Sequence, residues 1–194
     1  MPRWFDIAFT LLASLILAPL LVLIAGSVLL AMGRPIFFRQ LRVGANGAPF
    51  TIWKFRSFGE DGRPTALGRI LRRLSLDELP EFWNVLRGDM AVVGPRPLIE
   101  ADQPQLPSIR KARQAARPGI TGWAQVNGRN ALSFEESYRY DLAYIQNRSA
   151  MLDLQVLAMT MPCVISGRGA CGLTRPDRPV ALAGPKRRPL PRTV

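Results

Sequence analysis

The spacing of hydrophobic positions changes twice along this chain. From Ile7 to Met32 apolar residues run on without a charge for 26 positions, more than the roughly 20 that a helix needs to cross a bilayer core. A signal peptide's apolar core is only about 7–15 residues long, and no small-x-small cleavage site closes this run, so the segment is expected to stay on the mature protein. Pro19 divides it into Ile7–Ala18 and Leu20–Met32, 12 and 13 residues. At about 1.5 Å per residue neither half crosses alone. Because proline lacks a backbone donor and crowds the preceding turn, a kink is expected at Ala18 and Pro19. Arg3 before the run and Arg34, Arg39 and Arg42 after it give no charge asymmetry to place the N-terminus outside. The sequence therefore favours a re-entrant helical hairpin over a kinked spanning helix. A single ordinary anchor stays open, since spanning helices tolerate proline.

After the apolar run the pattern alternates. Residues 36–43 and 50–56 flank Gly44-Ala-Asn46-Gly47, a strong hairpin signal. Ala66–Leu74 then places Leu67, Ile70, Leu71 and Leu74 on one face of a helix and Arg69, Arg72 and Arg73 on the other. Two further helices are predicted, Ser133–Asn147, opened by the capping-box pair Ser133 and Glu136, and Met151–Ile165, which carries no charge after Asp153. So apolar a helix packs in the core or lies in the membrane interface. From Thr174 onward five prolines and six basic residues against Asp177 cannot build a core, and disorder is expected. A formal G-x-G-x-x-G at Gly167, Gly169 and Gly172 has no βαβ unit to follow it and is a chance match.

Composition narrows the chemistry. Lys+Arg 26 against Asp+Glu 14 gives a net charge of +12, and histidine is absent. Ser-His-Asp triads, Cys-His proteases and His-ligated zinc hydrolases are thereby excluded. Cys163 and Cys171 form no C-x-x-C pair, which fits a reducing, cytosol-facing setting. Between Arg34 and Arg73 nine basic residues face only Glu60 and Asp61, so the expected partner is anionic: lipid headgroups or phosphorylated substrates. Charge alone would also suit a membrane-tethered module that binds nucleic acid or anionic lipid without catalysis. That alternative predicts dispensable carboxylates and binding that falls steeply with salt.

Chemistry concentrates in Ser75-Leu-Asp77-Glu78-Leu-Pro80. Ser75 and Glu78 have capping-box spacing while Pro80 suits a first helical position, so the helix start is ambiguous, but Asp77 and Glu78 fall at its N-terminus either way. Two adjacent carboxylates point about 100° apart and can divide labour, one attacking while the other holds a metal. From spacing alone they could equally be charges that stabilise the helix dipole. In Val93-Gly94-Pro95-Arg96-Pro97 two prolines fix an arginine, either to present a guanidinium to phosphate or as a rigid turn. Arg117-Pro-Gly-Ile-Thr-Gly-Trp-Ala-Gln-Val-Asn-Gly-Arg129 suits close backbone approach to a ligand, or is a plain Gly-rich turn.

These elements, together with Lys54-Phe55-Arg56 and in this order, resemble the bacterial sugar transferase family, the monotopic polyprenyl-phosphate phosphoglycosyl transferases, over the chain to about residue 166. The likeness is greatest to small members with little beyond the catalytic domain. It implies transfer of a sugar-1-phosphate from a UDP-sugar to undecaprenyl phosphate with release of UMP, using Mg2+. It implies Asp77 as nucleophile through a phosphosugar-aspartyl intermediate, Glu78 as a catalytic group holding the metal, and Arg96, Arg72 and Lys54 as substrate-binding residues. The expected fold is α/β, mainly helical, with a re-entrant membrane helix (1–33), a catalytic domain (34–166) with a small β-hairpin and amphipathic interfacial helices, and a basic Pro-rich tail (167–194). The location implied is the bacterial inner membrane, facing the cytoplasm, at an anionic surface and with no nucleic-acid partner. The family's re-entrant helix breaks at a proline often preceded by serine, where this chain has Ala18.

Overall fold

The computed structural model describes residues 1–128 and 131–166. Helix α1 (Arg3–Met32) leads to a hairpin of β1 (Phe37–Val43) and β2 (Pro49–Phe55). Then come α2 (Ala66–Arg73), α3 (Glu81–Arg87), β3 (Ala91–Val93), α4 (Pro107–Gln114), β4 (Gly119–Thr121), α5 (Trp123–Asn127), α6 (Phe134–Gln146) and α7 (Ala150–Ser166). The hairpin is antiparallel in the register Phe37 to Phe55 and Val43 to Pro49. Its turn forms where Asn46-Gly47 predicts it, with both residues at positive φ. Helices α2, α6 and α7 match their hydrophobic periods to within a residue or two, and the Ser133–Glu136 capping box is made.

Three expectations need correction. The re-entrant hairpin expected to turn back at Ala18–Pro19 is not formed: Arg3–Met32 is one helix with Pro19 inside it, since proline removes a single backbone N–H and the turns on either side keep their own hydrogen bonds. Ser75 makes no side-chain cap and stands in the left-handed region, φ 57°, so the Ser75–Glu78 capping box is absent. Asp77 and Glu78 instead sit on one 3₁₀ turn (Leu76–Glu78) ahead of α3. A second sheet, the parallel pair β3–β4, was not visible in the pattern, because three-residue strands carry no period. Its glycines explain the Gly-rich segment: a Cβ on Gly119 would lie 2.1 Å from the Gly94 backbone nitrogen, and one on Gly122 2.1 Å from the Gly94 carbonyl oxygen. Those residues are small so that backbones can pack. Arg129 and the predicted tail lie outside the described residues.

The main core gathers Phe50 and Ile52 of β2, Val85 of α3, Val92 and Val93 of β3, Val126, Tyr144 and Val156. A second cluster joins Ile24 and Val28 of α1 to Phe55 and Leu71. Strand β2 belongs to both. Asn84, fully buried, fastens α3 to it: the side-chain amide donates to the Thr51 carbonyl at 2.7 Å and its oxygen accepts from the Trp53 N–H at 3.1 Å. Helix α3 ends at Gly88, whose φ of 100° closes the last turn at little steric cost.

Helix α1 is docked at both ends. Near its start the Arg3 guanidinium donates to the carbonyls of Met90 and Leu86, each 3.2 Å, and to that of Val85. Leu86 lies in the last turn of α3, where carbonyls run out of helical partners. Buried Asp6 accepts the Val92 N–H at 3.1 Å. Near its end Ile24 and Val28 enter the second cluster. Leu11, Leu12, Leu15, Ile16, Val22 and Leu23 are exposed between them.

Candidate active site

Strand β2 brings Lys54 to the 3₁₀ turn, and the turn after β3 brings Arg96 to the same place. The Lys54 Nζ lies 2.7 Å from Glu78 Oε1 and 3.1 Å from Glu81 Oε1, while Arg96 approaches Glu78 Oε1 at 3.7 Å. Three of the five predicted site residues, Lys54, Glu78 and Arg96, therefore converge on one small polar cavity, shared with Arg42, Glu81 and Gln125. Asp77 is close enough to feel the charges of Glu78 and Lys54, but it is 4% exposed and lines neither this cavity nor the larger one beside it. Arg72 stands apart, its guanidinium 4.9 Å above the Phe58 ring, and reaches Asp77 only through its field.

Burial decides the protonation balance. It pushes the Asp77 carboxyl above the usual range, Glu78 adds to the shift, and Lys54 and Arg72 oppose it. Burial pulls the Lys54 ammonium down, but Glu81 and Glu78 outweigh that and the net shift is upward. Glu81, fully enclosed, is pushed up to about 8 by burial, against the pull of Lys54. Arg42 is lowered by burial and by Arg96, and it donates to the Pro97 carbonyl at 3.1 Å.

Glu81 and Arg42 escaped the sequence reading. Glu81 had a signal: it stands three residues after Glu78, hence on the same face of a helical turn. Arg42 had none, as one of many strand arginines. A proton held more tightly in the folded than the unfolded state stabilises fully below 4.5, and that contribution is lost as pH climbs towards about 8. Glu81→Gln is therefore expected to melt near wild type at acid pH and to gain on wild type above pH 8; parallel melting curves at all pH would remove Glu81 as the cause.

A second anchor holds Arg96. Arg113 Nε donates to Asp141 at 2.7 Å, both side chains almost fully buried, and its other arm donates to the Arg96 carbonyl. The backbone that carries the cavity's guanidinium is thus tied to α4 and α6.

A cavity that gathers cations around one carboxylate, with a second carboxylate behind it, suits charge neutralisation on a phosphorylated ligand. The model for the family described as "Bacterial sugar transferase" matches residues 1–167. The chain belongs to the bacterial sugar transferase family. It is 39% identical over 178 residues to the "Uncharacterized sugar transferase EpsL" of Bacillus subtilis, covering 86% of this chain and 88% of that one. The exopolysaccharide production protein ExoY of Rhizobium meliloti is 35% identical over 196 residues, 87% of each chain. The UDP-glucose:undecaprenyl-phosphate glucose-1-phosphate transferase of Caulobacter vibrioides is 41% identical over 186 residues, 84% of this chain and 69% of that one. Family membership makes this sugar transferase an enzyme and sets aside the reading as a non-catalytic binding module.

Proposed function

We propose that this sugar transferase moves a sugar-1-phosphate from a UDP-sugar to undecaprenyl phosphate, releasing UMP, by way of a phosphosugar-aspartyl intermediate. The observation that carries the reading is the convergence of Lys54 and Arg96 on Glu78, one residue from a buried aspartate, in a family whose relatives include an undecaprenyl-phosphate glucose-1-phosphate transferase.

In the first half-reaction an Asp77 carboxylate oxygen attacks the phosphorus that bears the sugar. The P–O bond to UMP breaks, and the electron pair leaves with UMP. In the second, a phosphate oxygen of the lipid attacks the same phosphorus and Asp77 leaves as carboxylate, giving a polyprenyl diphosphosugar. A carboxylate needs no base to become a nucleophile, so a chain without histidine can run the first step. Lys54 and Arg96 are placed to neutralise the diphosphate. Asp77 meets the donor only when the Ser75–Glu78 turn uncovers it, and the left-handed Ser75 marks where that turn is strained.

Among the described residues no three ligating side chains form a metal cage. One carboxylate on a cavity wall, completed by phosphate oxygens and water, is nonetheless the donor set that Mg2+ takes. Glu78 fits it and would hold the ion, which when bound adds charge neutralisation at the diphosphate. UMP release from a panel of UDP-sugars, with and without undecaprenyl phosphate and magnesium, tests the reading; no UMP from any donor would end it.

The reading also includes a monotopic seat in the bacterial inner membrane, the domain facing the cytoplasm and its basic face on anionic lipid. Support comes from α1: a helix held to one domain at both its start and its end cannot also carry that start to the far side of a bilayer. With Cys163 and Cys171 replaced, a cysteine at position 2 is expected to stay unlabelled by an impermeant thiol reagent in intact cells. Labelling from outside overturns the arrangement.

A further inference from the structure

Lys54 and Arg96 are each needed in two places. In the fold both stand on one oxygen of Glu78, Lys54 Nζ at 2.7 Å and Arg96 at 3.7 Å from Oε1. In the proposed reaction both turn to the diphosphate of the donor, and Glu78 turns to the metal. One ammonium cannot serve Glu78 and a phosphate in full, so the two arrangements compete.

Space separates them as well as charge. The polar cavity that these side chains line holds about 10 Å³, room for a single water at most. Mg2+ lies about 2.1 Å from a carboxylate oxygen and keeps several waters. With an ammonium 2.7 Å from the same oxygen, the ion and its waters have nowhere to go. Lys54 is able to give way. Its Nζ is also 3.1 Å from Glu81 Oε1, and an ammonium has three donors, so it can turn from Glu78 to a phosphate while Glu81 still holds it. Arg42, the third cation of the cavity, is fixed instead, donating to the Pro97 carbonyl at 3.1 Å and to the Gln40 side chain.

We infer that Lys54 is a placeholder that couples metal binding to donor binding: in the free protein its ammonium occupies the Glu78 carboxylate, and the donor's diphosphate draws it off and leaves that carboxylate to the ion. This rests on the donor and the metal proposed above. A placeholder has a purpose in the free protein. Glu78 and Glu81 are both largely buried, and without Lys54 they would stand close together with only Arg96 near them, a costly arrangement. Because linkage is reciprocal, the ion must favour the nucleotide as much as the nucleotide favours the ion. The free protein is then poor in metal, and the ion enters with the donor or after it.

The test is a titration of the full chain in detergent micelles with Mn2+, a stand-in for Mg2+ whose unbound form is read by EPR. It is run without nucleotide and with UMP, and the ion that UMP takes up alone is subtracted. Wild type is expected to bind Mn2+ about tenfold more tightly with UMP than without, a coupling of ordinary size. Lys54→Met should bind it about tenfold more tightly than wild type in the absence of UMP, and UMP should add little more. A lysine that only packs the site predicts the opposite, unchanged or weaker binding in the variant, and that result overturns the inference. So does a wild-type affinity that UMP leaves unmoved, or no uptake beyond that of UMP alone. Should Lys54→Met not fold, Arg96→Gln removes the more distant, partly exposed cation from the same oxygen. It is expected to tighten Mn2+ about threefold without UMP, and no tightening overturns the inference equally. If wild type releases no UMP from any UDP-sugar, the proposed function fails separately, because the Mn2+ titration needs no turnover.

Discussion

Asp77→Asn is expected to abolish transfer, with UMP release falling to background, while the protein still folds and partitions with membranes. The amide has almost the same shape but cannot form the phosphoryl bond. Labelled sugar phosphate that stays with the denatured wild-type protein should be absent from the variant. Glu78→Gln should behave differently: slower, with a weaker response in a magnesium titration, since a neutral amide is a poor ligand for a hard cation. The contrast is decisive because Glu78 lines both cavities and Asp77 lines neither. If the asparagine variant keeps its label and the glutamine variant loses it, the nucleophile is Glu78. Burial raises Asp77, and only its ionised form attacks, so the acid limb of the pH–rate profile should lie above the ordinary aspartate range.

What could be read from the chain depended on how far each interaction reaches. Hairpin, α2, α6 and α7 are written in local periodicity and capping, and they form where the pattern puts them. Lys54, Glu78 and Arg96 could be named because each sits in a distinctive local motif. That Lys54 would stand between Glu78 and Glu81 could not, because it depends on Asn84 fastening α3 to β2 across 31–33 positions. Arg3 is the clearest instance. In the sequence it is one more flanking charge; in the fold it closes the end of α3.

Arg113→Ala is expected to be the most destabilising single change in the domain, costing about 3–5 kcal/mol, because it leaves Asp141 buried without its cation. Burial already raises the Asp141 carboxyl, Arg113 holding it down, and one of its oxygens has no hydrogen-bond partner. A large fall in melting temperature checks this. The double variant Arg113→Met with Asp141→Leu should regain much of the stability, since removing both charges removes the desolvation penalty. It should not regain turnover, because the Arg96 carbonyl still lacks its donor. Full recovery of both would mean that Arg113 supports the fold without positioning Arg96.

The double docking of α1 also sets an order of events during synthesis. Arg3 and Asp6 find their partners 82–87 positions further along, at Val85–Val92. When the helix leaves the ribosome those partners do not yet exist, and an apolar rod this long does not wait in water. Something apolar must therefore shelter the helix until position 92 has been made, and only then can the domain claim its start. The first element of the chain to be made is in that sense among the last to be fastened.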